Sequence, residues 1–291
     1  MKKFFGTGVA MVTPFNSDKS IDFESLKKLT SYITDGGVEF LVVLGTTGEA
    51  ATLSAEERHK VVRFVVEQNG GKLPVVVGIG GNNTMEVAKT MKSFDLSGVD
   101  AILSVTPFYN KPTQQGLYEH FKALAGESPL PIIMYNVPGR TGINLAAETT
   151  LRLAHDFKNI VAVKEASGNL NQQSYILRDK PADFKVLSGD DGLALPQVAL
   201  GLDGVISVVG NCLPREFSDM VRFALAGEYG KAKQLHYKLV ELIDALFVDG
   251  NPGGIKAALA TRGVVKNILR LPLVPVNANV QAKLEKLMAG F

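Results

Sequence analysis

Lys164 ends the apolar run of Asn159-Ile160-Val161-Ala162-Val163-Lys164-Glu165-Ala166. Four apolar residues, three of them β-branched, predict a short buried strand. Alternation along that strand predicts Ile160, Ala162 and Lys164 on one face. An ammonium group among apolar neighbours is costly unless it is paired or neutral. Desolvation and nearby cations lower a lysine's pKa and free its amine to attack a carbonyl. The plainer reading is a strand-end lysine whose stem lies along apolar surface while its charge reaches water. This run by itself leaves both readings open.

Other reactive types also stand just after apolar runs. Tyr135 follows Pro131-Ile132-Ile133-Met134, and a phenol beside an amine can relay protons as well as bond a backbone group. Arg140 lies in the turn Pro138-Gly139-Arg140-Thr141-Gly142, where a guanidinium can grip a carboxylate with two parallel bonds or stay solvated. Gly45-Thr46-Thr47-Gly48-Glu49 has glycines that let backbone N–H groups approach an anion, but lacks the Gly-Lys-Ser/Thr ending of a nucleotide phosphate loop. Asp190-Asp191 reads as a pair of turn residues, because adjacent side chains point apart and make a poor cation site. His59, His120, His155 and His236 fall in helical stretches and share no metal-ligand spacing.

The elements that must position these groups repeat one unit: an apolar β-branched run, a polar or glycine-rich loop, then a helical pattern. Strands are predicted at Thr7–Val12, Phe40–Leu44, Pro74–Ile79, Asp100–Val105, Pro131–Tyr135, the Lys164 run, Phe184–Leu187 and Gly204–Val209. Asp22 is placed to cap the first helix, which Gly36-Gly37 stops, and Ser54 with Glu57 to form a capping box on the second, closed by Asn69-Gly70-Gly71. Asn83 and Glu86 start the third helix and Gly98 ends it; Asn144 is placed as the cap of a later one. Strand–helix alternation means right-handed parallel crossovers. Eight units in about 210 residues fit a closed (β/α)8 TIM barrel, typically about 250 residues long. An open doubly wound sheet is less suited, because Gly6-Thr7-Gly8 precedes the first strand where a dinucleotide fingerprint would follow it. The predicted division is a barrel over 1–213 and a C-terminal helical extension over 214–291 packed on it.

Lys and Arg number 31 against 29 for Asp and Glu, a net charge of +2, which gives no electrostatic reason for nucleic-acid or membrane binding. The single cysteine, Cys212, excludes an internal disulfide framework and a cysteine-rich metal site. Met1-Lys2-Lys3-Phe4-Phe5 faintly echoes a signal peptide, but its apolar run breaks at Gly6 and no convincing cleavage site follows. No stretch approaches a membrane span, and a reducing cytoplasmic location is expected.

In a barrel of this type the active site lies at the C-terminal strand ends. There the chain places Thr46, Thr47, Tyr109, Tyr135, Arg140, Lys164, Gly189 and Ile206. Five stretches at those ends, in chain order, carry a resemblance over nearly the whole sequence. They are Gly45-Thr46-Thr47-Gly48-Glu49, Val105-Thr106-Pro107-Phe108-Tyr109-Asn110-Lys111-Pro112, Tyr135-Asn136-Val137-Pro138-Gly139-Arg140-Thr141-Gly142, Val163-Lys164-Glu165-Ala166 and Leu187-Ser188-Gly189-Asp190-Asp191. The chain resembles the dihydrodipicolinate synthase family of class I aldolases, which also holds N-acetylneuraminate lyase.

The resemblance implies a Schiff base between Lys164 and pyruvate, with Tyr135, Thr46 and Tyr109 as a proton relay. It implies that Tyr109 reaches the site of a neighbouring subunit in a tight dimer, and that two such dimers form a homotetramer. Thr47 and its loop would hold the pyruvate carboxylate, Gly189 and the Ile206 backbone would line the pocket, and Arg140 would bind the carboxylate of L-aspartate 4-semialdehyde. No metal or organic cofactor is implied. Arg140 and the Thr46-Thr47 pair favour this reaction over the alternatives, a 2-keto-3-deoxy sugar acid aldolase or a sialic-acid-type lyase. Lysine-inhibited relatives carry a serine-alanine pair and a histidine after the Gly-Glu motif, and a tyrosine before the relay tyrosine. Here Ala50, Ala51, Arg58 and Phe108 stand there, while Asn82 and Glu86 match, so feedback inhibition by lysine is expected to be weak or absent.

Overall fold

β-Branched runs recur eight times, and each folds as a strand of one closed parallel barrel in sequential order. The computed structural model describes residues 3–291; Met1 and Lys2, where the signal-like reading begins, lie outside the described residues. The strands are β1 Gly6–Ala10, β2 Phe40–Val43, β3 Val75–Gly78, β4 Ala101–Val105, β5 Ile132–Asn136, β6 Ile160–Glu165, β7 Lys185–Ser188 and β8 Gly204–Ser207. Pairing of β1 with both β2 and β8 closes the ring and leaves no free edge.

Alternation sorts each strand's side chains into two cores. Val42, Val76, Leu103, Ile133, Tyr135, Ala162, Leu187 and Ile206 belong to the barrel interior. Leu41, Val43, Val75, Val77, Ile132, Met134, Val163 and Val205 meet the surrounding helices. Buried on both faces, such strands read as continuous apolar runs. The interior is filled by side chains, so space for a ligand exists only beyond the strand ends.

The helices are α1 Phe23–Asp35, α2 Ala55–Asn69, α3 Thr84–Ser93, α4 Gln114–Glu127, the single turn α5 Pro138–Thr141, α6 Ala147–Asp156, α7 Leu170–Asp179, α8 Ala194–Leu200 and α9 Pro214–Leu225. The tail adds α10 Tyr229–Phe247, α11 Gly253–Thr261 and α12 Ala278–Met288. Asp22 and Asn83 cap α1 and α3 through N–H groups of Ser25 and Glu86, and Ser54 and Glu57 complete the capping box of α2. Gly70 closes α2 in the left-handed conformation. All four histidines lie in helices.

Several local expectations are corrected. β6 carries a register shift: Ile132 pairs with Ile160, but Ile133 pairs with Ala162. Val161 is the extra residue of a bulge, which turns Ile160 to the helix side while Ala162 and Lys164 face inward. Asn144 does not cap α6, whose N-cap is Ala146 with no side-chain bond; its amide joins a buried network with Asn136 and Gln172 instead. α3 ends at Ser93, ahead of Gly98, because Asp95 accepts the Ser97 N–H and turns the chain. β1 stops short of Val12, whose N–H leaves the ladder for the Asn211 side chain, and β8 gives way to a 3-10 turn at Val209–Asn211.

α9 packs on β1 and β8, the place of the barrel's eighth helix, and α10 packs on α9 and α8. The predicted division at residue 213 falls just ahead of α9. No helix among the described residues is long and apolar enough to cross a membrane.

Candidate active site

One cavity of ≈ 1130 Å³ opens at the C-terminal ends of the strands. Lys164, Tyr135, Thr46, Thr47, Arg140 and Gly189 all line it. Lys164 is only 6% exposed, and its Nζ lies 4.3 Å from the centre of the Tyr135 ring. The two are register partners on β5 and β6, so strand pairing itself brings amine and phenol together. No carboxylate among the described residues lies within ion-pairing distance of that amine. Gly189 must be glycine for a steric reason: a Cβ there would stand 3.0 Å from Lys164 Cε and 2.5 Å from Ala166 Cβ.

The Gly45–Glu49 segment folds as a 3-10 turn over Thr46–Gly48 that exposes Thr46 and buries Thr47. Thr13 Oγ1 donates to the Gly48 carbonyl, and Asn251 Nδ2 donates to Thr47 Oγ1 at 2.9 Å. Glu49, with φ 52°, ends the turn in the left-handed region, which costs a non-glycine residue unless its surroundings hold it there. Its carboxylate is fully buried, paired to Lys256 of α11, and accepts the Arg270 N–H at 3.0 Å. Burial lowers the Lys256 ammonium to about 8, against the opposing pull of Glu49.

Arg140 is exposed on α5 and faces the cavity. Asp190 serves its turn, accepting N–H groups of Gly192 and Leu193. Asp191 points elsewhere: its Oδ2 accepts the N–H groups of Val208 and Val209, both at 2.9 Å. Burial raises its carboxyl to about 6, more than those N–H bonds lower it. No group of three potential metal ligands occurs among the described residues, and no histidine lines the cavity.

Two expected site residues do not line this chain's cavity. Ile206 is packed in the barrel interior. Tyr109 is 92% exposed and points away, although the neighbouring Phe108 forms part of the wall. Its backbone, at φ 65°, is clamped: Asn82 bonds both the N–H and the carbonyl of Phe108, and Tyr109 N–H donates to Thr141 O. Asn251 and Lys256 are the support that sequence reasoning passed over. The cluster Asp249-Gly250-Asn251-Pro252-Gly253-Gly254, a turn inside an otherwise helical tail, is the signal that marks it.

The family model described as the dihydrodipicolinate synthetase family matches residues 3–290. The chain belongs to that family. Within it, the chain is 51% identical over 283 residues to the 4-hydroxy-tetrahydrodipicolinate synthase of Phocaeicola vulgatus, covering 97% of this chain and 95% of that one. The crystal structure of the family's enzyme from Thermotoga maritima superposes with a TM-score of 0.96 at 42% identity, covering 99% of this chain and 98% of that one. A family variant described as the first monomeric one superposes equally well, at 0.96 and 42% identity, over 98% and 96% of the two chains. The family is one of Schiff-base aldolases, and its reaction joins pyruvate to L-aspartate 4-semialdehyde on the diaminopimelate route to lysine.

Proposed function

We propose that this chain is a 4-hydroxy-tetrahydrodipicolinate synthase in which Lys164 is the Schiff-base nucleophile. The observation that carries the reading is a buried, carboxylate-free amine held against a phenol at the floor of a cavity. The amine attacks C2 of pyruvate and water leaves, giving an iminium that serves as an electron sink. The pyruvate methyl then loses a proton to become an enamine. That carbon bonds to the aldehyde carbon of the second substrate, whose own amine next attacks the imine carbon, closes the ring and releases Lys164. The Tyr135 phenol beside the amine suits accepting and returning the protons these steps move, and Thr46, lining the same cavity, suits the relay as well.

Thr47, oriented by Asn251, and the N–H groups of its turn suit the pyruvate carboxylate. Gly189 leaves room beside the lysine stem. Arg140 at the rim suits the carboxylate of aspartate semialdehyde, which a neutral sugar aldehyde lacks. Tyr109, exposed yet rigidly presented, suits insertion into a neighbouring subunit's site, and hence a tight dimer within a tetramer. The lone cysteine, Cys212, is a buried free thiol pushed up to about 12, in keeping with a reducing cytoplasm.

Incubation with pyruvate and borohydride followed by peptide mass spectrometry tests the nucleophile. The expected adduct is on Lys164 and is lost in Lys164→Ala; an adduct on another lysine, or none, overturns the assignment. Parallel assays with aspartate semialdehyde and with sugar aldehydes test the second substrate, and light scattering over a dilution series tests the assembly.

A further inference from the structure

Behind the wall that carries Lys164 and Tyr135 lies a buried polar network that the chemistry above does not use. The next register pair along the two strands is Asn136 and Glu165, both fully buried on the helix side. Glu165 Oε2 accepts from Asn136 Nδ2 and from Gln172 Nε2 of α7, each at 3.0 Å, and Oε1 accepts the Ser167 N–H at 2.8 Å. Asn136 Oδ1 accepts the Leu145 N–H at 2.9 Å, and Asn144 bonds both Asn136 and Gln172. No cation pairs with Glu165 among the described residues. A buried carboxylate met only by neutral donors is an expensive way to fill space, and an apolar residue would pack there at less cost.

Resting on the Schiff-base reading, we propose that Glu165, with Asn136 and Gln172, is a positioning residue that holds the ends of β5 and β6 so that the Lys164 amine stays against Tyr135. The strands need such a device. The bulge at Val161 breaks their ladder, so only the last pairs set which residues face each other. Sliding back by one residue would put Tyr135 opposite Val163, whose side chain belongs to the outer face. Glu165 bonds β5, α7 and its own following turn, and that arrangement resists the slide. Through Asn136 and Leu145 the same network anchors the far end of the loop that carries Arg140. The working residues occupy the inner positions of the last rungs and the clamp the outer ones.

Glu165→Gln keeps the shape but supplies one acceptor oxygen where two are used, so its NH2 must face a donor. Gln172→Met removes one of the two side-chain bonds to Glu165 Oε2, together with the Gln172 bonds to Asn144 and Leu145, from a more peripheral position. For each variant kcat, the KM of pyruvate, the melting temperature and the borohydride-trapped fraction of Lys164 are measured. The expected result for Glu165→Gln is a folded protein, full trapping, kcat lower by about 10–100-fold and pyruvate KM within about threefold. Gln172→Met loses about threefold to tenfold in kcat. A folded Glu165→Gln protein with kcat within about twofold of wild type overturns the proposal, as does a loss of kcat matched by an equal loss of trapped lysine. If Glu165→Gln does not fold, unchanged kcat in Gln172→Met overturns it. Failure of the wild-type protein to form a pyruvate adduct on Lys164 would instead sink the Schiff-base reading itself, so the two failures are distinguishable.

Discussion

Replacing Lys256 by methionine should destabilise the protein more than any single surface change, although the residue lies far along the chain from the turn it supports. Lys256 and Glu49 are each wholly screened from water, and the ammonium also donates to Ile268 O at 2.8 Å and lies over the Phe15 ring. Methionine matches the stem but leaves the Glu49 carboxylate buried with only the Arg270 N–H. Breaking a buried pair from one side costs about 3–5 kcal/mol. At about 2 °C per kcal/mol for a chain of this size, Tm should fall by about 6–10 °C. Because burial already draws Lys256 down to about 8 despite its partner, the charges are not well compensated even together. The double variant Lys256→Met/Glu49→Gln should therefore recover most of the loss, giving a coupling energy above about 2 kcal/mol in a double-mutant cycle. Calorimetric melts at one protein concentration provide the measurement. A single variant that melts within about 2 °C of wild type, or a double variant whose loss equals the sum of the singles, would refute the reasoning.

Arg140→Ala should lower kcat/KM for aspartate semialdehyde by about 10–100-fold, the worth of a hydrogen bond to a charged group, and leave pyruvate KM nearly unchanged; equal losses for both substrates would count against its assigned role. Burial holds His120 down to about 4, so between about pH 6.5 and 4 the unfolded chain binds the extra proton; this residue's contribution is present above 6.5 and lost as pH falls, by about 3 kcal/mol in all. Asp191, raised to about 6, has the opposite sign, stabilising as pH falls from 6 toward its unfolded value near 4. Denaturation titrations should thus show a steeper acid loss in Asp191→Asn than in wild type, and a shallower one in His120→Gln; parallel profiles would contradict both. Ala50, Ala51, Arg58 and Phe108 line the cavity beside Asn82 and Glu86, and with lysine bound no tighter than about 1 mM, lysine below about 1 mM occupies less than half the sites and should leave more than half the activity in a steady-state assay; half-inhibition at submillimolar lysine would contradict it.

The barrel was legible because each strand, buried on both faces, has to be an unbroken apolar run, and each helix announces itself by a local cap. Asp22, Ser54 with Glu57, and Asn83 could be read at once, since a cap and the N–H it satisfies are three residues apart. The place of the candidate site, though not the placing of Tyr109 and Ile206, was legible for a related reason. A parallel barrel sends its strand ends to one rim, so a polar residue closing an apolar run is at the site wherever it falls in the sequence. Asn144 was misread because the same side chain suits a cap or a buried network, and only tertiary neighbours choose between them.

What stayed hidden is the support, and the physical reason is sequence distance. Asn251 reaches Thr47 across 204 residues and Lys256 reaches Glu49 across 207, and nothing local in either sequence stretch requires its partner. The face of Ile160 was hidden differently: one extra residue in a strand has no signature when all its neighbours are apolar, yet it reverses the alternation before it. That bulge decides which positions face inward, and so it ties the two kinds of blindness together. Lys164 and Tyr135 meet only because the ladder is reset just before them, and a reset ladder must then be held by contacts from outside the strands. Glu165 and Gln172 provide such contacts to β5 and β6, while Asn251 and Lys256 hold the turn that follows β2. A substitution at these supporting positions should therefore alter rates while leaving the chemical identity of every residue that lines the cavity near Lys164 unchanged.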